Sequence, residues 1–200
     1  MSDSADLPAQ ELAAWQYAWL RDVDAYAIRH ADEQETVAQF RDFMRTYADA
    51  AQRELAIGHL TGAAWLVSAD GRRVLLTHHR KLQRWLQLGG HADGDADLVA
   101  VALREAEEES GLADLSIERE IFDLDRHWIP DHREVPGHWH YDLRYVVRCC
   151  GSEQFAVSEE SLELAWRDIG AMIGSSDYDE SLQRMARKWR ERTADGIRFT

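Results

Sequence analysis

The stretch Gly90-His91-Ala92-Asp93-Gly94-Asp95-Ala96-Asp97-Leu98-Val99-Ala100-Val101-Ala102-Leu103-Arg104-Glu105-Ala106-Glu107-Glu108-Glu109-Ser110-Gly111-Leu112 decides how this chain is read. A glycine turn runs into an apolar helix start, and a run of acids precedes the glycine that should end the helix. On a helix, Glu105, Glu108 and Glu109 stand at i, i+3 and i+4 and share one face. Glu107 points about 100° away from its neighbours and reads as solvated. Three like charges on one face repel one another. A divalent cation turns that cost into a binding site, because Mg²⁺ favours carboxylate oxygens and completes its shell with water and substrate phosphates.

The charge pattern on either side supports a phosphorylated ligand. No acid occurs between Gly71 and Ala92, whereas Arg72, Arg73, Arg80, Lys81 and Arg84 are basic. From Asp93 to Glu109 there are seven acids and one arginine. A cationic strip thus leads into the anionic cluster, and Arg80, Lys81 and Arg84 lie just before the glycine turn.

Further out, the apolar periodicity changes twice. Leu12, Trp15, Trp19, Val23 and Tyr26 follow helical spacing, as do Val37, Phe40, Met44 and Tyr47, which predicts helices over 9–29 and 33–55. Asp32 is placed to cap the second. Such a helical hairpin cannot bury both stripes alone, so it needs the rest of the chain or a second subunit, which leaves a homodimer open. From Thr61 short strands are predicted: Ala63–Ser68 and Val74–His78 around an Asp70-Gly71 turn, then Trp85–Leu88. The helix Leu98–Glu109 follows, stopped by Gly111 as its C′ residue. Leu115–Asp123 and His138–Cys149 are further strands. In the latter, His138, His140, Asp142 and Arg144 alternate with Trp139, Tyr141, Leu143, Tyr145 and Val147. Ser161–Trp166 adds a strand, Asp168–Ile173 a turn of helix, and Asp177–Thr193 a closing amphipathic helix. Irregular alternation of strands and helices points to a mixed sheet with helices on its faces.

Composition sets outer limits. The chain has 200 residues, 45% of them hydrophobic and 30% charged, with a formal net charge of −14. That length suffices for one well-buried domain plus a small appendage. The negative charge disfavours nucleic-acid polymers and anionic membranes. No apolar run has the length of a membrane span, and the acidic start Met1-Ser2-Asp3 is not that of a secretory signal. Cys149 and Cys150 are adjacent and poorly placed to bridge each other, which suggests a reducing, cytoplasmic setting.

The segment Gly90-x5-Ala96-x7-Arg104-Glu105-Ala106-x-Glu108-Glu109-x-Gly111-Leu112 closely resembles the Nudix box of MutT-like pyrophosphohydrolases, G-x5-E-x7-R-E-U-x-E-E-x-G-U, where U is bulky and apolar. Seven of its nine specified positions match. Ala106 is a small stand-in for the bulky residue, and Ala96 replaces the first glutamate. Weaker likeness runs from Gly58-His59-Leu60-Thr61 through His127 and His138–Asp142 to Trp166.

The resemblance implies an α/β/α sandwich with a mixed β-sheet over 58–200, preceded by the helical hairpin over 1–57. It implies Mg²⁺ or Mn²⁺, and hydrolysis of a nucleoside diphosphate-linked or nucleotide-like pyrophosphate. Glu105, Glu108 and Glu109 become the metal carboxylates, with the Gly89 carbonyl as a further ligand. Arg104 orients the glutamates through a charge-assisted bond. Ala96 removes a support for Arg104 that Asp95 or Asp97 could partly replace. Glu109 and Glu108 lead the assignment of general base, with Glu159, Glu160, Glu163, His127, His138 and His140 left open. Arg80, Lys81, Arg84, His140 and Arg144 are the expected substrate contacts, and Asp142 either orients an imidazole or pairs with Arg144. Trp85, Trp128, Trp139 and Tyr141 could stack on a base, though aromatics in strands are more often core. Two other readings remain beside hydrolysis. One is a ligand-sensing or interaction protein on the same fold; the other is an isoprenyl diphosphate isomerase, which would want a reactive cysteine near the metal.

Overall fold

A computed structural model describes residues 12–79, 83–131, 135–156 and 161–194. The chain divides into two compact units, Met1–Ala48 and Asp49–Thr200.

The first unit pairs two helices, α1 (Ala14–Arg29) and α2 (Gln34–Thr46). Gln16 donates from Nε2 to the Met44 carbonyl at 2.7 Å, and the Tyr26 hydroxyl donates to Glu33 at 2.5 Å. Trp19, Val23, Tyr26, Val37, Phe40 and Met44 are buried, as their helical spacing predicts. Two expectations fail here. Asp32 does not cap α2 but sits in a 3₁₀ turn, Ala31–Glu33, between the helices. Helix α2 also stops at Thr46 rather than reaching residue 55. Beyond it the Ala50 and Ala51 carbonyls accept from the Leu60 and Gly94 amides at 2.8 and 2.9 Å. Those acceptors are therefore engaged far along the chain and not in a helical ladder.

The second unit is built on a seven-stranded mixed sheet. Its strands are β1 (Gly58–Val67), β2 (Arg73–His79), β3 (Arg84–Leu86), β4 (Leu88–His91), β5 (Leu115–Ile129), β6 (His138–Cys149) and β7 (Ser161–Asp168). The main path runs β3-β2-β1-β6-β5, with β4 paired to β1 and β7 to β2. Only β1 and β6 run parallel; the other pairings are antiparallel. The Asp70-Gly71 turn joins β1 to β2 as predicted, with the Ser68 amide donating to the Arg73 carbonyl at 2.9 Å.

Period-two alternation along β1 sends Ala64 and Leu66 to one face and Trp65 and Val67 to the other. Ala64 and Leu66 join a core with Leu75, Leu88, Ala106, Leu112 and Val147, which takes in α3 (Leu98–Ser110). Trp65 and Val67 join Val74, Leu76, Val146, Met172, Met185 and Trp189, under α4 (Ile169–Met172) and α5 (Glu180–Ala194). Helices thus cover both faces, giving the α/β/α sandwich. Trp189 Nε1 donates to the Gly71 carbonyl at 2.8 Å and pins α5 to the β1–β2 turn.

Strand boundaries moved where pairing outlasted local pattern. The single strand expected at 85–88 splits at Gln87, because Leu86 pairs with Thr77 of β2 whereas Leu88 pairs with Ala64 of β1. Strand β5 runs past Asp123 to Ile129, since the ladder with β6 continues through Ile129–His138. Among the described residues, no helix is long and apolar enough to cross a membrane.

Candidate active site

Helix α3 is set by its two ends. Asp97 Oδ1 accepts from the Ala100 amide at 3.1 Å, an N-cap bond. Gly111 takes φ 66° and returns its amide to the Glu107 carbonyl at 2.8 Å, a left-handed stop that glycine adopts without the Cβ penalty. Between these ends the apolar residues Leu98, Val101, Ala102 and Ala106 are buried. That burial fixes the rotation of the helix, and with it the direction of each glutamate.

Glu105 and Glu109 are half-buried and line a cavity of about 720 Å³, while Glu107 and Glu108 are exposed. Gly89 and Gly90 of β4 form the adjoining wall. A side chain at Gly90 would place its Cβ 2.5 Å from Glu105 Oε2, so the strand and the carboxylate can meet only because that position is glycine. Glu108 shares a helical face with the other two by spacing, but the cavity surface here is formed by Glu105 and Glu109.

Arg104 is half-exposed, and its Nη1 lies 3.5 Å from Asp95 Oδ2. Asp95 thus stands beside the arginine at the place where the box glutamate is missing. Asp97 is occupied as the helix cap, and it also lies 3.5 Å from Arg119.

The other side of the cavity comes from β1, β5 and β6. His127, His140, Asp125, Asp142 and Arg144 all line it. Arg144 is buried, and its guanidinium meets Asp123 at 3.1 Å, Asp125 at 3.0 Å and Asp142 at 3.1 Å. Arg184 and Lys188 of α5 reach Asp123 as well, at 2.8 and 2.6 Å. Burial alone would raise the carboxyl pKa of Asp123. The hydrogen bond from Arg184 and the charge of Arg144 outweigh it and hold the pKa below the ordinary value. Asp125 is lowered likewise, burial being outweighed chiefly by the charge of Arg144. Arg144 therefore reaches the cavity already engaged by three carboxylates. Asp142 meets both alternatives left by the sequence: it pairs with Arg144 and lies 3.7 Å from His127 Nδ1. Its other oxygen accepts from the Thr61 hydroxyl at 2.5 Å.

The histidines behave in two ways. His127 Nδ1 lies 3.5 Å from Asp125 Oδ2, an ion-pair distance. Burial would lower its pKa, but Asp125 and Asp142 outweigh it and raise the pKa. Burial, reinforced by neighbouring histidines, lowers His59 to about 3 and His140 to about 2. His91 is lowered for the same first reason, with Arg53 adding to the effect. The imidazole of His127 is thus made more basic, and those of His91 and His140 less so, around one cavity.

Arg84 also lines the cavity, half-exposed and 3.6 Å from Asp179. Arg80, Lys81, Glu159 and Glu160 lie outside the described residues. Glu163 is exposed and lies 3.9 Å from Arg167 on β7. The lining among the described residues does not include the aromatics named for base stacking: Trp128 and Trp139 pack edge-on at 5.2 Å, and Arg126 lies 3.5 Å over the Trp139 ring. Cys149 and Cys150 are both free. Cys149 is buried, and burial raises its thiol pKa, the wrong direction for a reactive cysteine. Lining residues that escaped the sequence-based assignment include Arg53, Thr61, His91 and Asp125. His91 stood in the motif itself, directly after Gly90. Thr61 and Asp125 are brought in by strand register, for which the sequence holds no local signal.

A family model described as NUDIX domain matches residues 58–188. No curated protein matches the sequence closely enough to count as a relative. Among solved structures, a Caenorhabditis elegans Ap4A hydrolase binary complex aligns with TM-score 0.52 and 18% identity, covering 68% of this chain and 98% of that one. A NUDIX-family hydrolase from Clostridium perfringens gives 0.51 and 22%, covering 66% and 97%. A MutT protein from Methanosarcina mazei Go1 gives 0.54 and 14%, covering 70% and 97%. At these identities the likeness establishes the fold.

Proposed function

Because the chain belongs to the NUDIX family, a family of hydrolases acting on phosphoric anhydrides, we propose that it is a divalent-metal-dependent pyrophosphohydrolase acting on a nucleoside diphosphate-linked or nucleotide-like substrate. One observation carries the reading. Glu105 and Glu109 of the box helix turn into the same cavity that holds Arg84 and His127 on its other sides. Oxygen donors and cations thus face one space, the arrangement a pyrophosphate with its counter-ion requires.

The residues fit a hard divalent cation. Glu105 is pressed against Gly90, in space that any Cβ would fill, and all the donors on this wall are oxygens. Glu105, Glu109 and the Gly89 carbonyl would hold Mg²⁺ or Mn²⁺, which offsets charge on the phosphate oxygens and makes a bound water more acidic. Glu108, exposed on the same helix, would join them as the third carboxylate. We assign Glu109 to accept the proton of the attacking water, since it is the carboxylate furthest along α3 that still faces the cavity. A water oxygen bonds to phosphorus, the bridging P–O bond breaks, and the departing phosphate keeps the bond's electron pair. His127, its pKa raised by Asp125 and Asp142 against the effect of burial, and Arg84 would bind the phosphate oxygens. Arg144 positions Asp125 and Asp142 beneath His127. The two free cysteines support a reducing, cytoplasmic setting.

The test is phosphate-coupled turnover of a panel of nucleoside diphosphate derivatives, with and without Mg²⁺ or Mn²⁺. Turnover of at least one member should need the metal and should disappear in Glu109→Gln. Turnover untouched by chelator overturns the metal assignment. Tight nucleotide binding without hydrolysis at every metal concentration would transfer the protein to the ligand-sensing reading.

A further inference from the structure

Four histidines from three strands converge beside the carboxylate wall. His59 on β1 pairs in register with His140 on β6, and His91 on β4 pairs with Thr61, two residues along β1. His138 precedes His140 by two on the same face of β6. His59 Nε2 lies 3.1 Å from His140 Nε2, and His138 Nε2 lies 3.2 Å from that same atom. His91 offers a ring nitrogen within 4.8 Å of those of His59 and His140. His59 and His138 are buried.

We propose that His59, His91 and His140, backed by His138, form an imidazole site for a transition-metal ion of the zinc class, separate from the carboxylate set on α3. The first argument is the proton count. The Pro136 carbonyl can only accept, and it lies 2.9 Å from His138 Nδ1, so that nitrogen carries the proton and the neutral ring presents a lone pair at Nε2. His140 Nε2 can then satisfy His138 only by donating. If His59 Nε2 also carried a proton, two N–H groups would face each other across 3.1 Å. One proton therefore has to serve two nitrogen–nitrogen contacts. A cation bound by the lone pairs of His59, His91 and His140 removes that conflict, and these are the three rings whose ligand nitrogens all lie within 4.8 Å of one another.

The second argument is spacing. Zinc–nitrogen bonds of about 2.0–2.1 Å in a tetrahedral shell set ligand nitrogens about 3.3–3.4 Å apart. The observed 3.1 Å between His59 and His140 is close to that edge. His138, its Nδ1–H held by the Pro136 carbonyl, stands behind His140 at 3.2 Å and fixes that ring from outside the ligand set.

The donor chemistry selects the ion. Imidazoles suit zinc, copper, nickel and iron, whereas Mg²⁺ keeps to oxygens. Asp142, near His127 and His140, is a poorer ligand because Thr61 and Arg144 occupy its two oxygens. The ion would therefore bind on the imidazole side of the cavity, leaving Glu105 and Glu109 to the hard cation of the proposed reaction. The imidazole site does not depend on that reaction being right.

The experiment uses the metal-stripped full chain, titrated with Co²⁺ in excess Mg²⁺ and followed by visible absorption. Zn²⁺ is then measured by competition against a chromophoric chelator. One equivalent of Co²⁺ should give ligand-field bands typical of nitrogen ligation, and one equivalent of Zn²⁺ should displace it. His140→Gln should weaken Zn²⁺ by more than about 100-fold, beyond the cost of losing an outer-shell partner. His91→Asn, at a half-buried position, should also weaken it, and it decides the matter if His140→Gln fails to fold by circular dichroism. Glu105→Gln should leave the bands intact. Absence of the bands in the wild-type chain overturns the proposal. So does an unchanged Zn²⁺ affinity in a folded His91→Asn variant, or loss of the bands in Glu105→Gln alone.

Discussion

The two walls of the cavity solve opposite electrostatic problems. On the α3 wall, Glu105 and Glu109 are half-buried oxygen donors, and the nearby Arg104–Asp95 pair is half-exposed at 3.5 Å. Surface pairs of that kind contribute about 0–1 kcal/mol, so this wall is held by apolar packing of the helix. On the β5–β6 wall, Arg144 is buried among Asp123, Asp125 and Asp142, with Arg184 and Lys188 closing the network from α5. Every charge there already has a counter-charge. On the proposed function, one wall receives an ion or substrate, and the other holds shape beneath it. Substitutions should therefore register in catalysis on the first wall and in stability on the second.

The largest expected effect is on the first wall. Glu109→Gln keeps the side-chain volume and removes the charge and the proton acceptor. Metal-dependent turnover should fall by about 10²–10⁴-fold, with an unchanged denaturation midpoint. A midpoint that dropped with the rate would erase the contrast, because Glu109 would then be structural.

The second wall should answer with unfolding. Arg144→Met leaves Asp123 and Asp125 to Arg184 and Lys188 and takes from Asp142 its guanidinium partner. Removing one partner of a buried ion pair costs about 3–5 kcal/mol, which urea titration would read directly. A smaller loss, with substrate KM raised and stability kept, would move Arg144 into the substrate contacts first expected of it.

Acid should discriminate the walls more gently. Asp125 has a folded pKa held below its unfolded value. Its contribution to stability is thus full above the unfolded value of about 3.9. It is lost as pH falls below that value toward the lower folded pKa, because the unfolded chain then binds the proton first. Asp125→Asn should flatten the fall in stability between about pH 5 and pH 2. An acid limb as steep as that of the wild type would remove Asp125 from the network's energetics.

The walls also differ in how far they could be read from sequence. Gly90–Leu112 holds helix, caps and glutamates in one local segment, so i, i+3, i+4 geometry predicted a shared face. What it could not give is the rotation of α3 over the sheet, which turns Glu105 and Glu109 inward and leaves Glu108 exposed. The alternation of β6 likewise predicted His138, His140, Asp142 and Arg144 on one side. Their partners come from register. Parallel pairing of β1 with β6 sets His59 against His140, and two irregularities in the β5–β6 ladder, between Ile117 and Asp123, set where Asp123 and Asp125 fall. Neither a long-range parallel pairing nor a bulge has a signature in a few neighbouring residues. Arg144 was accordingly expected as a substrate contact, with Asp142 on its own strand named as a possible partner; Asp123 and Asp125, on β5, were beyond reach of that reading.

The finest distinction lies inside the α3 wall, at Ala96. The missing box glutamate leaves Arg104 with Asp95, whose shorter side chain approaches only to 3.5 Å between half-exposed groups. A contact that long is weak as a hydrogen bond, and an exposed pair contributes about 1 kcal/mol at most. If Arg104 acts by orienting the glutamates, Asp95→Asn should lower kcat by no more than about fivefold, the rate equivalent of that energy, with KM little changed. Ala96→Glu should then leave kcat equal or higher, and in the Asp95→Asn background it should restore what was lost. A large drop in Ala96→Glu would mean that the turn has been rebuilt around Asp95, so that a longer carboxylate displaces the arginine instead of holding it. Rescue in the double variant, with no gain in the single one, would show that Asp95 already performs the absent glutamate's task.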